Sequence, residues 1–341
     1  MRAFYFTHLT VWRGGPRPVA GLVGALALFA VACAVADAAA DPSSPSQSAA
    51  PGDVLFPVRS VALTLPSGDL ADVYLPGIAA AEQRVSENRF PVVAVLQGAM
   101  VDKSHYQQLG NAIARQGFVV VIPNHFRTVP SFPSPVLFSE VGVVTDVYAA
   151  VVAADAAAQS PLYGLIDTAT MGLIGHSLGG SVGLYAIGGV CAPGICTDPS
   201  LHYTRPAALR AAATYGASLF GTNGTVTDVD TAGVAVALLQ GSQDRVALPE
   251  KAAPAYAALE RPRALIEIAG ANHYGICDEN NPPGARPDPG APTLTQVQAN
   301  AAVDDWIGRW LRAALRHDER AQRAIQGVSA SPDGVVKVVS D

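Results

Sequence analysis

The sequence predicts a single α/β domain: a mostly parallel sheet of about eight strands, covered by helices on both faces, with no large cap domain. Three observations lead there. Short apolar runs such as "PVVAVLQG" (91–98) and "FVVVIP" (118–123) lack polar alternation, as strands buried on both faces do. Amphipathic helical segments separate them, among them "HYQQLGNAIARQG" (105–117), with Tyr106, Leu109 and Ile113 on one face. Of the 341 residues 50% are hydrophobic and 15% charged, a composition able to build a sizeable core.

The elements follow in order. "VRSVALTL" (58–65) and "LADVYL" (70–75) flank a "PSGD" turn and open the sheet as two strands. "SEVGVVTDVYAAVVAADAA" (139–157) is a helix whose apolar stripe runs Val144, Val147, Tyr148, Val151. "TMGLIG" (170–175) is a strand running straight into the helix "SLGGSVGLYAIG". "LRAAATYG" (209–216), "GVAVALLQG" (233–241) and "RALIEIAG" (263–270) continue the sheet. A last helix begins near Thr293, where Thr293 and Gln296 match a capping box, and Val303, Ile307, Trp310, Leu311 and Ala314 keep helical spacing along it. The domain spans residues 55–325, and 326–341 reads as a weakly structured C-terminal tail.

The N-terminus reads differently. Arg2, Arg13 and Arg17 precede a 17-residue apolar run, Val19 to Val35, that ends in Ala-x-Ala patterns. A positive start, an apolar middle and small residues at the end predict a signal peptide over 1–40, cut after Ala36 or Ala40. The run is shorter than the roughly 20 apolar residues of a membrane span. Cys33 in "AVAC" resembles a lipoprotein box with Ala30 in place of the usual Leu, so a lipid anchor at Cys33 is the alternative outcome of export. Residues 41–54, which begin with "DPSSPSQSAAPGD", read as a flexible linker.

Cleavage after Ala40 removes three of 22 basic and one of 28 acidic side chains, leaving a balance of −8. An acidic chain without basic runs excludes nucleic acid as the expected partner. Three cysteines remain. Cys191 and Cys196 flank the turn-forming "CAPGIC", which allows a disulfide in an oxidising compartment or, equally, buried thiols beside Cys277. Their spacing suits neither zinc nor a CxxC redox pair.

The chemistry centres on Gly175-His176-Ser177-Leu178-Gly179, which fits G-x-S-x-G. A strand that turns abruptly into a helix forces its turn residue into a strained conformation, so the flanking residues must be very small. Such an elbow exposes the Ser177 hydroxyl at the carboxyl edge of the sheet, where ligands of α/β folds meet the loops. A serine needs a base, and on this kind of fold the order is Ser, acid, His. "SQDRV" places Asp244 directly after one strand, and "ANHYG" places His273 after the next, 67 and then 29 residues further on. Asp228, Asp230 and Asp278 are competing acids. His105, His125, His176, His202 and His317 read as surface or structural groups. The Leu178 N–H supplies one oxyanion donor. The second comes from "LQGAMVDKSHY", with Ala99 the candidate and Met100 the fallback.

Together these residues resemble the α/β-hydrolase superfamily, in its compact branch of dienelactone hydrolase-like proteins, chlorophyllases and cutinase-like polyester hydrolases. "FPVVAVLQGAM", "YQQLGNAIARQGFVVVIP", "IDTATMGLIGHSLGG", "LLQGSQD" and "GANHYG" match that branch in order, over residues 58 to 315. Gln97 stands where many relatives carry histidine, and Ser177 where dienelactone hydrolases proper carry cysteine. "TYGASLF" lacks a tryptophan and Ala99 an aromatic ring that polyester hydrolases of this kind carry, which weighs against polyester as the substrate. The resemblance implies an exported serine hydrolase that cleaves carboxylic esters through an acyl-enzyme, without metal or organic cofactor. Its expected substrate is a small-molecule or lipid-like ester, and no obligate protein partner is implied.

Cap domains in the superfamily often follow the sixth strand, but only 15 residues (219–233) are available here, so the site should be open. The loop 124–140 carries Phe126, Phe132 and Phe138, which either wall an apolar substrate pocket, together with Met100, or pack the loop itself. Other readings of the same residues are a catalytically silent binding protein, an amidase, a cofactor-free haloperoxidase, or a polyester or lipid ester hydrolase.

Overall fold

The computed structural model describes residues 55–77, 89–191, 194–198, 203–221 and 224–341. The expected signal peptide, Cys33 and the linker lie outside the described residues. Ten strands form one sheet in the order β1-β2-β4-β3-β7-β8-β9-β10-β12-β11. Strands β1 (Val58–Thr64) and β2 (Leu70–Pro76) make the opening antiparallel pair, and β2 also runs antiparallel to β4 (Val119–Pro123). From β4 the sheet is parallel through β3 (Phe90–Leu96), β7 (Ile166–His176), β8 (Leu209–Tyr215), β9 (Ala235–Gly241) and β10 (Arg263–Ile268).

The continuous apolar runs have the reason expected of them: each side of the sheet is covered. Val92, Ala94 and Leu96 of β3 enter one core with helices α2 (Gly142–Ala156) and α3 (Leu178–Ile187). Val93 and Val95 enter the other, with α1 (Gln107–Arg115) and α5 (Gln296–Leu315). A short helix, α4 (Ala252–Ala258), adds Ala255 to the first core. Alternate side chains of one strand thus go to opposite layers, as the pleat requires.

Two expectations change. The helix α5 is capped by Thr295 and Gln298, not by Thr293 and Gln296. "TLTQVQ" holds two overlapping T-x-x-Q patterns, and the first is committed elsewhere: Thr293 N–H donates to Gly270 O, and Gln296 Nε2 to the carbonyls of Tyr274 and Cys277. The tail is also structured. After α6 (Glu319–Ile325), β11 (Val328–Ala330) and β12 (Val336–Ser340) extend the sheet beyond β10, with β12 antiparallel to it. Val336 and Val338 are buried at 2% and 0% exposure, which explains why so short an alternation is ordered. No helix among the described residues is long and apolar enough to cross a membrane.

Burying each valine contributes about 1.5–3 kcal/mol. Deleting residues 328–341 should therefore lower the Tm by about 10 °C. Scanning calorimetry checks this, and an unchanged Tm would mean that the two strands contribute nothing to the domain.

Candidate active site

The elbow forms at the β7–α3 junction. Ser177 has φ 52° and ψ −119°, a left-handed conformation that costs a non-glycine residue of order 1–3 kcal/mol. Its neighbours leave no room for side chains. A Cβ on Gly179 would lie 2.2 Å from Leu96 O, and one on Gly175 2.5 Å from Gly180 Cα. The glycines therefore let α3 press against the end of β3, and they bring the loop after β3 beside the serine.

The expected acid and base arrive from the two strands beyond. His273 Nε2 lies 2.8 Å from Ser177 Oγ, and His273 Nδ1 lies 2.8 Å from Asp244 Oδ2. Asp244 is fully buried and His273 is 1% exposed. Asp244 Oδ1 accepts the N–H groups of Val246 and Ala247 at 2.8 and 2.7 Å, and Gln240 Nε2 reaches Oδ2 at 3.3 Å. Four donors thus fix the carboxylate, which in turn fixes the tautomer and tilt of the imidazole. Of the competing acids, Asp278 instead accepts the N–H groups of Gln107 and Gln108 at the start of α1. Asp230 accepts the N–H of Ala232.

Two backbone donors are left over beside the serine. Among the described residues neither Leu178 N–H nor Ala99 N–H has a hydrogen-bond partner. The fallback, Met100, is not available as a donor, because its N–H is spent on Leu137 O at 2.8 Å. Gln97, the residue that replaces a histidine, anchors this loop. With its amide oriented to satisfy its neighbours, it donates to Ser139 Oγ and Pro123 O and accepts from His125 N–H. Ser139 Oγ also donates to Gln97 O at 3.1 Å.

The loop 124–140 contains a small hairpin, β5 (Phe126–Arg127) against β6 (Val136–Leu137). Through Leu137 O it lies directly on Met100. The rings of Phe132 and Phe138 meet edge to face at 5.7 Å, while Phe126 is 54% exposed. Phe132 and Phe138 thus pack on each other, and Phe126 stands free on the outer hairpin. Cys191 and Cys196, which the sequence left open as a disulfide or buried thiols, are joined, and their loop holds the hairpin from behind: Arg127 donates to Gly194 O, and Glu140 accepts from Thr197 N–H at 2.6 Å. Cys277 is a buried free thiol.

At the hairpin's root, His125 Nδ1 lies 2.6 Å from Asp69 Oδ2, and Nε2 faces Glu140 Oε1 at 3.4 Å, an ionic contact too poorly aligned for a hydrogen bond. Burial pushes the His125 imidazole down, but the Glu140 and Asp69 carboxylates outweigh it and raise it above its ordinary value. The contact with His125 in turn draws Glu140 down to about 2, opposed by burial and reinforced by Thr197.

Two residues that sequence reasoning missed complete the site. Asp288 Oδ2 accepts His273 N–H at 2.8 Å, while Oδ1 accepts Arg245 N–H at 3.1 Å. One buried carboxylate thereby ties the loop of the base to the loop of the acid. Gly216, with φ 58°, would place a Cβ 2.9 Å from His273 Nδ1 and 3.0 Å from Asp244 Oδ2. "RPDPG" and "TYGAS" carry turn signals at these places, but nothing in them announces contact with His273.

Gly216→Ala should force His273 and Asp244 apart, abolishing the low-field proton resonance of their hydrogen bond; persistence of that resonance would contradict the crowding. His125 stabilises the hairpin fully below its unfolded value and loses that contribution as pH rises through its raised folded value. Glu140 contributes above its unfolded value and loses its share as pH falls toward about 2. Hydrogen exchange across residues 126–138, corrected for intrinsic rate, should therefore be slowest near about pH 5.5 and quicken as the pH rises through the raised His125 value. His125→Gln should flatten that profile, and a flat wild-type profile would contradict the ion-pair account.

No curated protein matches the chain significantly. A family model described as PET hydrolase-like matches residues 32–286, well over half of the sequence and a span that includes Ser177, Asp244 and His273. The missing aromatic residues had weighed against polyester, and this match outweighs them at the level of family. The chain belongs to the PET hydrolase-like family, ester hydrolases built on the α/β-hydrolase fold.

Proposed function

We propose that this protein is an exported serine esterase that cleaves carboxylic esters through an acyl-enzyme, with Ser177, His273 and Asp244 as its triad. The observation that carries the reading is the continuous relay of two 2.8 Å contacts, Ser177 Oγ to His273 Nε2 and His273 Nδ1 to Asp244 Oδ2, at a strained elbow. His273 takes the hydroxyl proton as Ser177 attacks the ester carbonyl, and Asp244 stabilises the imidazolium that results. The carbonyl oxygen, now an oxyanion, is held by the free N–H groups of Ala99 and Leu178. His273 gives its proton to the departing alcohol. Water, deprotonated by the same imidazole, then releases the acid and restores Ser177.

The substrate is an apolar ester, of polymeric or lipid-like character, entering over an uncapped edge. Among the described residues only an irregular segment, with a single bridge between Phe220 and Val226, links β8 to β9. Met100 follows Ala99 in the oxyanion loop and donates its N–H to Leu137 O, so the hairpin borders that loop; its Phe138 packs on Phe132, its Phe126 is exposed, and these four side chains are the proposed apolar contacts for the substrate. Export is supported by the arginines and the apolar run of residues 1–40 and by the Cys191–Cys196 disulfide, which suits an oxidising compartment. Removal of the leader would leave 41–54 as the linker to the catalytic domain.

Hydrolysis of p-nitrophenyl esters of increasing chain length should fall by about 10⁴–10⁶ in Ser177→Ala, together with loss of fluorophosphonate labelling. Wild-type protein that is folded yet neither labels nor turns over would favour a silent binding protein. Faster cleavage of matched anilides than of esters would favour an amidase.

A further inference from the structure

We infer that His176, the residue immediately before the nucleophile, is a positioning residue that locks the oxyanion loop and the base loop into one register through a single buried hydrogen-bond chain. The inference rests on the esterase reading above and adds to it a residue that does not touch the reacting atoms. Gly98 N–H donates to Tyr106 Oη at 2.9 Å, Tyr106 Oη lies 2.8 Å from His176 Nδ1, and His176 Nε2 lies 2.9 Å from the backbone carbonyl of His273.

The direction of the chain follows from what each group can do. The His273 carbonyl only accepts, so the proton of His176 sits on Nε2. A neutral imidazole then presents Nδ1 as an acceptor, and the Tyr106 hydroxyl donates to it while accepting from Gly98. Burial, reinforced by the neighbouring His273, holds His176 well below its ordinary value, so this neutral tautomer persists. Both His176 and Tyr106 are at 0% exposure.

The chain ends at the two places the reaction needs aligned. Gly98 immediately precedes Ala99, the free donor. His273 is the base, and the bond to its carbonyl fixes the backbone from which the imidazole projects. Packing leaves little slack at either end. A Cβ on Gly98 would lie 2.7 Å from His176 Nδ1, and the His176 and His273 rings stand 4.9 Å apart between centroids. A displaced His176 ring would therefore move the donor and the base against each other. Because the oxyanion contact is made only in the transition state, the loss should fall on kcat and leave KM nearly unchanged.

The test uses the full-length protein and p-nitrophenyl butyrate, comparing wild type with Tyr106→Phe, His176→Gln and the double variant. Tyr106→Phe keeps the ring and removes only the hydroxyl, so it stands alone should His176→Gln fail to fold. Each single change should lower kcat about 10–100-fold with KM within about twofold. The double should lose little more than the worse single, as members of one chain do. Affinity for phenylboronic acid, which forms a tetrahedral adduct on the serine, should drop by the same factor as kcat. A folded Tyr106→Phe with kcat and boronate affinity near wild type would overturn the inference alone, as would losses that multiply in the double. A wild type without Ser177-dependent turnover would overturn the esterase reading, and this inference with it.

Discussion

The backbone of Ser177 is held at φ 52°, and the rest of the site is arranged around keeping it there. A serine relaxes out of that conformation unless its surroundings over-determine it. Here β7 enters and α3 leaves with glycines on both sides, and Ser177 N–H is pinned by Tyr215 O at 2.9 Å. The same crowding that strains the serine brings the end of β3 against the first turn of α3. One steric constraint thus both exposes the hydroxyl and places two unpaired N–H groups beside it.

The acid and base depend on the sheet in a second way. Asp244 and His273 each follow the carboxyl end of a strand, and β9 and β10 are parallel neighbours, so their loops emerge side by side. Burial would make such a polar pair costly if left unsatisfied. Gln240, two N–H groups beyond Asp244, and Asp288 supply the missing partners. On the other flank, the hairpin holds Met100 through Leu137 O, the disulfide-bonded loop holds the hairpin from behind, and His125 is the hairpin's ionic root. The core of the site is therefore buried and fully hydrogen-bonded, while the ion pairs of its outer wall are the part expected to respond to pH.

The parts of this arrangement that were legible in the sequence are those that repeat or punctuate. Apolar runs buried on two faces marked the strands, the G-x-S-x-G pattern after one of them marked Ser177, and polar residues in the loops that follow the next two marked Asp244 and His273. "CAPGIC" allowed a bond between its ends but did not decide it against buried thiols. What remained hidden depends on contacts across the fold. Asp288 acts by accepting a backbone N–H from a loop 15 residues earlier, which leaves no periodic trace. The role of Gly216 is visible only once His273 and Asp244 are beside it. Two-residue strands such as β5 and β6 are too short to alternate, and β12 shows its two buried valines only when β10 offers them an edge. Thr295 displaced Thr293 as a cap because the fold gave the earlier threonine another partner.

A crystal structure of the fluorophosphonate-treated protein would test the central claim most directly. A phosphonyl group is expected on Ser177 Oγ, with its oxygen about 2.7–3.1 Å from both Ala99 N and Leu178 N and the His273 ring still seated on Asp244. An adduct on any other residue, or a phosphonyl oxygen turned away from both donors, would contradict it.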